Sequence, residues 1–265
     1  MADQRPPTID PNAAARWSVH APPRSPWLHE EVARRMDERL EWIRQRPARW
    51  ADWGAVRGGL GGHRRVAARY AGAAQHVVEP GSALQRAAVA ALAPGGWRGL
   101  AARVRGGPAG GVAFGEPEAG TVQLVWSNMA LHTAADPEAL LARWHRALAT
   151  DGFLMFSCLG PDSVQELRAV YAAEGWPPAG AALVDMHDWG DMLVAAGFAE
   201  PVMDMERLVL TYPSAARLVD ELRDIGRNLH PQRFAALRGR GFRSRLERAV
   251  EVHGARDAAL RGCAQ

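Results

Sequence analysis

Residues 51–59 read Ala-Asp-Trp-Gly-Ala-Val-Arg-Gly-Gly, closing a short apolar run that contains Trp50 and Trp53. An acid at a strand end followed by spaced glycines lets a chain leave a sheet, turn tightly and begin a helix while its backbone approaches a ligand closely. The acid is Asp52 and the outer glycines are Gly54 and Gly58; between them stands Val56, whose β-branched side chain does not take a positive φ cheaply. A second apolar run, His76-Val77-Val78, closes on Glu79. That acid follows at roughly the 20-residue distance at which a βαβ unit sets a carboxylate against the two hydroxyls of a ribose. Gly59–Tyr70 supplies the helix in between.

The rest of the chain alternates in the same way. Leu28, Val32, Met36, Leu40 and Ile43 recur at helical spacing from Trp27 onward. Strands are predicted at 50–53, 75–79, 122–127, 152–158 and 201–212, with a weaker one at 111–114 inside the glycine- and proline-rich stretch 93–120. Helices are predicted at 137–148, with Asp136 as N-cap, and at 163–174, 188–196, 214–225 and 231–250. This order predicts an α/β fold: a mostly parallel, twisted sheet of six or seven strands with helices on both faces. Asp52 and Glu79 then fall at the carboxyl ends of neighbouring strands, where Gly54 and Ser127 join them. Residues 1–26 hold six prolines and read as an extended or mobile segment, ahead of one domain over 27–265 whose part from about 214 is helical. The end, from Glu251, is polar, so the last strand of the sheet is expected to be missing.

A chain of 265 residues buries one sizeable core. No apolar run approaches the roughly 20 residues of a membrane span, and the N-terminus lacks a signal-peptide core, so a cytoplasmic protein is expected. Cys158 and Cys263 stand alone and suggest neither a disulfide framework nor a thiolate metal site. The formal charge is +3 and every one of the 32 basic residues is arginine; spread between acids, they read as a solvated surface, and no nucleic-acid partner is expected. His29-Glu30-Glu31 and Asp185-Met186-His187-Asp188 contain metal-ligand residue types, but each run sits at a helix start and reads as capping, so no metal is expected.

The run Asp52–Gly58, then Glu79, then Leu124-Val125-Trp126-Ser127-Asn128-Met129-Ala130-Leu131-His132, then Asp151-Gly152-Phe153, resembles the class I S-adenosylmethionine-dependent methyltransferases, which have a Rossmann-like fold. More narrowly, Trp27–Val32, Gly160–Arg168 and Asp185–Asp188 followed by Ala196-Gly197-Phe198 resemble one branch of them. That branch holds the malonyl-acyl carrier protein O-methyltransferases of biotin synthesis and a mitochondrial complex I assembly factor that hydroxylates an arginine. The resemblance covers about residues 10–245. It implies that Asp52, Gly54 and Gly58 hold the methionine end of S-adenosylmethionine, Glu79 its ribose, and Ser127 and Asn128 the floor near the methyl group. It also implies an acceptor that is a malonyl group on an acyl carrier protein, or a small acid. A methyl on a sulfonium leaves without acid or base help, so no catalytic residue is assigned; alignment and exclusion of water carry the reaction. A malonyl carboxylate has to be held by donors, and Arg168, Arg207 and Tyr212 are the candidates, each set against a purely structural role.

The chain departs from the family pattern at Val56, at the short link between Gly115-Glu116-Pro117 and Val122, at Gln123 where an Asp is usual, and at its polar end. These departures predict weakened cofactor binding. They leave two readings open, a methyltransferase and an inactive methyltransferase-fold protein that binds or assembles a partner.

Overall fold

In the computed structural model of the protein, residues 9–93, 111–235, 238–239, 241–254 and 259–264 are described. The first element corrects the expectation for the N-terminus. Pro11–His20 is a helix, α1, capped by Asp10, whose carboxylate accepts the N–H groups of Asn12 and Ala13. Proline in the first turn costs a helix nothing, because the N–H it lacks would have no intrahelical partner, and three alanines follow it.

From there the chain runs through α2 (Trp27–Arg39), β1 (Arg49–Trp53), α3 (Ala55–Gly58), α4 (Leu60–Arg69), β2 (Ala74–Val78), α5 (Ser82–Leu92), β3 (Val112–Phe114) and β4 (Val122–Asn128). It continues with α6 (Pro137–Ala147), β5 (Leu148–Ser157), α7 (Gln165–Ala173), α8 (Met186–Ala195), β6 (Glu206–Thr211), α9 (Ala215–Ile225), α10 (Gly241–Gly254) and β7 (Ala259–Ala264). Asp136 caps α6, accepting the Ala139 N–H at 2.9 Å. Residues 231–235 are non-helical, so the last long helix starts at Gly241 rather than at Pro231. Residues 94–110 of the glycine-rich stretch lie outside the described residues.

Five parallel strands form the main sheet in the order β3-β2-β1-β4-β5. The crossovers reverse direction between β1 and β4, which opens a crevice at their carboxyl ends, the usual ligand site of such sheets. Successive residues of a strand face opposite sides, so β1 and β4 feed two cores. Trp50, Leu124 and Trp126 pack with Leu28, Val32, Met36 and Val66 of α2 and α4. Ala51, Trp53 and Val125 pack with Leu141, Trp144 and Trp189 of α6 and α8. This is the Rossmann-like α/β architecture that the alternation predicts.

One expectation about the sheet needs correction. β6 and β7 pair antiparallel as a separate ladder, from Glu206 opposite Ala264 to Thr211 opposite Ala259, so among the described residues the main sheet has five strands rather than six or seven. The chain's end does form a strand, but in that separate ladder, so the main sheet lacks it as expected. β7 runs Ala-Leu-Arg-Gly-Cys-Ala, with one charged residue, so the polar reading of the chain's end holds for the residues before it and not for the strand itself. A groove of about 1050 Å³ runs between β5 and the β6 segment, with Met36, Ile43, Phe153, Met155, Phe198 and Leu208 in its wall. Among the described residues no helix is long and apolar enough to cross a membrane.

Candidate functional site

The loop after β1 turns on two glycines. Gly54 has φ +92°, a left-handed conformation that costs an L side chain about 1–2 kcal/mol, and its N–H closes the ladder onto Val78 O at 2.8 Å. Gly58 is needed for a different reason: a Cβ there would lie 2.9 Å from the carbonyl oxygen of Asn128. Val56 is not in the left-handed region, and its side chain is fully buried with Ala55, Val77, Leu84 and Ala88 between the sheet and α5. The anticipated conflict between a β-branched residue and a positive φ does not arise.

Val56 contributes its backbone instead. Its N–H donates to Glu79 Oε1 at 2.8 Å, which brings the acid after β2 onto the glycine loop. Glu79 Oε2 is buried and has no partner among the described residues. Burial pushes the Glu79 carboxyl up to about 8, with the Val56 N–H opposing and the Asp52 carboxylate adding to the rise. A buried acceptor without a donor is costly, and a ribose hydroxyl is a donor of the right kind. By this test the residues present fit the nucleoside half of S-adenosylmethionine.

Asp52 is also bound into the fold. Its carboxylate is 2% exposed and accepts the Nδ1–H of His63 at 2.8 Å, while His63 Nε2 meets Gln75 Oε1 at 3.0 Å and the His63 ring lies against Trp50. Burial raises the Asp52 carboxyl and His63 opposes that rise. The acid ties β1 to α4 beneath the loop. His63 is legible in retrospect, since His63, Val66 and Tyr70 share the inward face of α4, where a histidine needs a buried partner.

Ser127 and Asn128 form the floor of the loop. Ser127 Oγ donates to Trp53 O at 3.0 Å, joining β4 to β1. Asn128 Nδ2 donates to His29 O at 2.7 Å and also to Gly58 O, while its Oδ1 accepts from Ser157 Oγ at 2.6 Å. One amide thus holds α2, the glycine loop and β5 together. The next residue, Met129, is a buried non-glycine at φ +57°, backbone strain of the kind that gathers at ligand sites.

A cover lies over this loop, built from residues that sequence reasoning passed over. Ser25 Oγ donates to Val56 O and accepts the Leu60 N–H, at 2.8 and 2.9 Å. His29 Nδ1 donates to Arg57 O at 2.7 Å; burial takes His29 down to about 3 and His132 down to about 4, so both imidazoles are neutral at pH 7. Arg57 donates to the carbonyls of Arg24, Asp224 and Ile225 and stacks on Trp17, pinning α1 and the end of α9 to the loop. Asp10 completes the cover, with its N–H on Leu229 O and its carboxylate on Arg233.

Glu30, from the first supposed metal cluster, accepts the Gly61 and Gly62 N–H groups, and Glu31 pairs with Arg34 and Arg35. Asp185 caps α8 and contacts His187. Glu116 pairs with Arg143 and Arg146 on α6. Of the acceptor candidates, Arg168 donates to Pro161 O and Ser163 O, and Arg207 reaches Asp162 at 3.5 Å, so both serve the loop 160–164. Tyr212 is half-buried near Glu221 and Arg217 of α9. None of the three hydrogen-bonds to the glycine loop or to Glu79.

No protein-family model matches the chain. Among curated proteins it is 39% identical over 226 residues to a malonyl-acyl carrier protein O-methyltransferase of Laribacter hongkongensis, covering 84% of this chain and 75% of that protein. It is 38% identical over 221 residues to the protein of that name from Gallionella capsiferriformans, at 83% and 75% coverage. Among solved structures it is similar to the YcgJ protein of Bacillus subtilis, with TM-score 0.54, 12% identity and coverage of 88% and 95%. A protein of Bacillus halodurans assigned as a methyltransferase gives TM-score 0.53 at 13% identity, covering 88% and 96%. The structural likeness concerns the fold alone.

Proposed function

The chain belongs to the malonyl-acyl carrier protein O-methyltransferase family, and from that membership we propose that it transfers a methyl group from S-adenosylmethionine to the free carboxylate of a malonyl thioester on an acyl carrier protein. The finer assignment, a role in biotin synthesis, rests on the resemblance of the branch.

The observation that carries the reading is Glu79, one carboxylate oxygen fixed by the Val56 N–H and the other buried and waiting for a donor beside a loop that only glycine permits at Gly54 and Gly58. When bound, the cofactor supplies a methyl group on a positively charged sulfur. Glu79 would orient the ribose, the glycine loop would admit the methionine end, and the strained turn at Asn128-Met129 would set the depth of the crevice. The cover made by α1 and residues 22–26 excludes water. That matters for a reaction in which an anionic oxygen and a cationic sulfur both lose their charge, because a dry site favours the neutral products. The acceptor carboxylate is already ionised at neutral pH, so the chain needs no general base. Val56 gives no support to the inactive alternative, since its side chain lies in the core.

The test is labelled methyl transfer from S-adenosylmethionine to malonyl-acyl carrier protein by the wild type, by Glu79→Gln and by Asp52→Ala. Methylation by the wild type and a loss of roughly tenfold or more in cofactor affinity for Glu79→Gln are expected, from the loss of a charged hydrogen-bond acceptor worth about 1.5–3 kcal/mol. Asp52→Ala should lower stability before it lowers affinity, because it leaves His63 buried without its partner. A wild type that binds the cofactor yet methylates no malonyl thioester would refute the assignment.

A further inference from the structure

Between residues 223 and 248 stand eight arginines and two carboxylates, a net of +6 in a chain whose whole is +3. The rest of the protein is therefore net acidic, and the picture of arginines spread evenly among acids fails for this segment. The structure sets part of this charge beside the cover of the crevice. Arg57 and Arg227 stack on Trp17 at 5.1 and 5.2 Å. Arg238 lies over Phe242 at 4.4 Å and Phe234 at 5.3 Å, and Arg245 lies over Trp176, whose ring meets Phe242 at 5.1 Å.

These cations feel one another. Burial works most against the charges on Arg227 and Arg57; Arg223 and Arg238 add to it at Arg227, and Arg227 and Arg24 add to it at Arg57, while Asp224 favours the charge on both. The neighbouring acids are already engaged: Asp224 with Arg24, Asp220 and Glu247 with Arg243, and Asp10 with Arg233. Among the described residues no carboxylate lies within ion-pair distance of Arg223, Arg227, Arg238, Arg245 or Arg248, and all five are exposed. A guanidinium laid flat on a ring keeps its N–H donors in plane for acceptors. A row of such groups, repelling one another and left with only Asp220 and Asp224 nearby, whose ion pairs go to Arg243 and Arg24, is a surface suited to an anionic partner.

We propose that this arginine band, from Arg223 and Arg227 to Arg238 and Arg245, is the docking surface for the acyl carrier protein and grips a carboxylate-rich face of it. The inference rests on the acceptor assigned above. The band adjoins Trp17 and Arg57 of the cover, so a carrier seated on it presents its tethered thioester beside the carboxyl ends of β1 and β4. Planar donors match carboxylates two oxygens at a time, which gives orientation as well as attraction.

The test uses the full chain and a triple variant, Arg223→Gln, Arg238→Gln and Arg245→Gln, none of which touches the glycine loop. Both proteins are titrated with an acidic holo-acyl carrier protein lacking a malonyl group, at low and high salt, and with duplex DNA. The wild type should bind the carrier with an affinity that falls steeply with salt. The variant should bind it at least tenfold more weakly and with a flatter salt dependence, at unchanged affinity for S-adenosylmethionine. In turnover, KM for malonyl-acyl carrier protein should rise at least tenfold in the variant, while kcat/KM on a malonyl-pantetheine thioester stays that of the parent. If the triple variant is poorly folded, Arg223→Glu alone, at the exposed end of α9, should weaken the carrier about threefold. Equal binding by parent and variant, no binding by the parent, or binding of duplex DNA in place of the carrier would each overturn the proposal. A parent that binds the carrier but methylates no malonyl thioester supports the docking surface and refutes the proposed function instead.

Discussion

Val56 occupies the position where the family pattern has glycine, and the consequence of changing it back follows from where its side chain goes. The isopropyl group fills a cluster with Val77, Leu84 and Ala88, so Val56→Gly removes a buried side chain and loosens the turn of α3. The expected cost is about 2–3 kcal/mol, from about 1.5 for the lost burial and about 1 for glycine in a helix, read as a lower urea midpoint with no gain in cofactor affinity. Tighter binding in that variant would restore the steric argument drawn from the sequence. Glu79 yields a pH dependence. With its carboxyl near 8 in the unliganded protein, most molecules below that pH carry a proton on the group that has to accept from a ribose. Ribose donors favour the ionised form, so binding expels a proton; Kd should fall as pH rises toward about 8, by up to about tenfold per unit, and then level off. Calorimetry in buffers of different ionisation enthalpy measures that proton directly, and a flat profile would remove Glu79 from the site. The positions of Gly54, Gly58 and Glu79 were legible because spacing alone fixes them. The use of Asp52 was not, since its partner His63 is one turn along a helix whose packing no local pattern gives.

β1, β2 and β4 were legible as elements because they are largely buried and rich in Trp, Val and Leu, whereas β3, three residues and only partly buried, was the weak reading. α1 was hidden by the prolines around it, although Asp10-Pro11 followed by alanines is itself a helix start, and β7 was hidden because its six residues follow a polar stretch and pair with β6 outside the main sheet. α1 depends on tertiary contacts more than on propensity, and Trp17, clasped by Arg57 and Arg227, is the centre of them. Trp17→Ala should free the cover: amide exchange across residues 11–26 should accelerate, and cofactor Kd should rise up to about tenfold, given about 1 kcal/mol for a partly buried cation–π contact and two such contacts. The fold should keep its midpoint within a few degrees, since the main cores do not include this ring. Unchanged exchange would mean that the proline-flanked segment 22–26 holds the cover by itself.

At the scale of the molecule, the sheet, the crevice and the cover divide the work. Three of the four pairings in the main sheet join consecutive strands and the fourth joins β1 to β4, whereas the cover joins segments much farther apart in sequence. Asp10 and Arg233 are 223 residues apart, and Arg24 reaches Asp224 across 200. During synthesis at roughly 5–20 residues per second, the N-terminal helix leaves the ribosome on the order of 10–45 s before Arg227, Leu229 and Arg233 exist. Through that interval Trp17 has Arg57 and α1 has α5 to rest on, but the second stack by Arg227 and the anchors at Leu229 and Arg233 are still missing, while the strands that lead into Asp52 and Glu79 can already pair. A nascent chain thus acquires its crevice first and its seal last, and whatever keeps the early N-terminus from sticking elsewhere, a chaperone or its own prolines, becomes a determinant of yield.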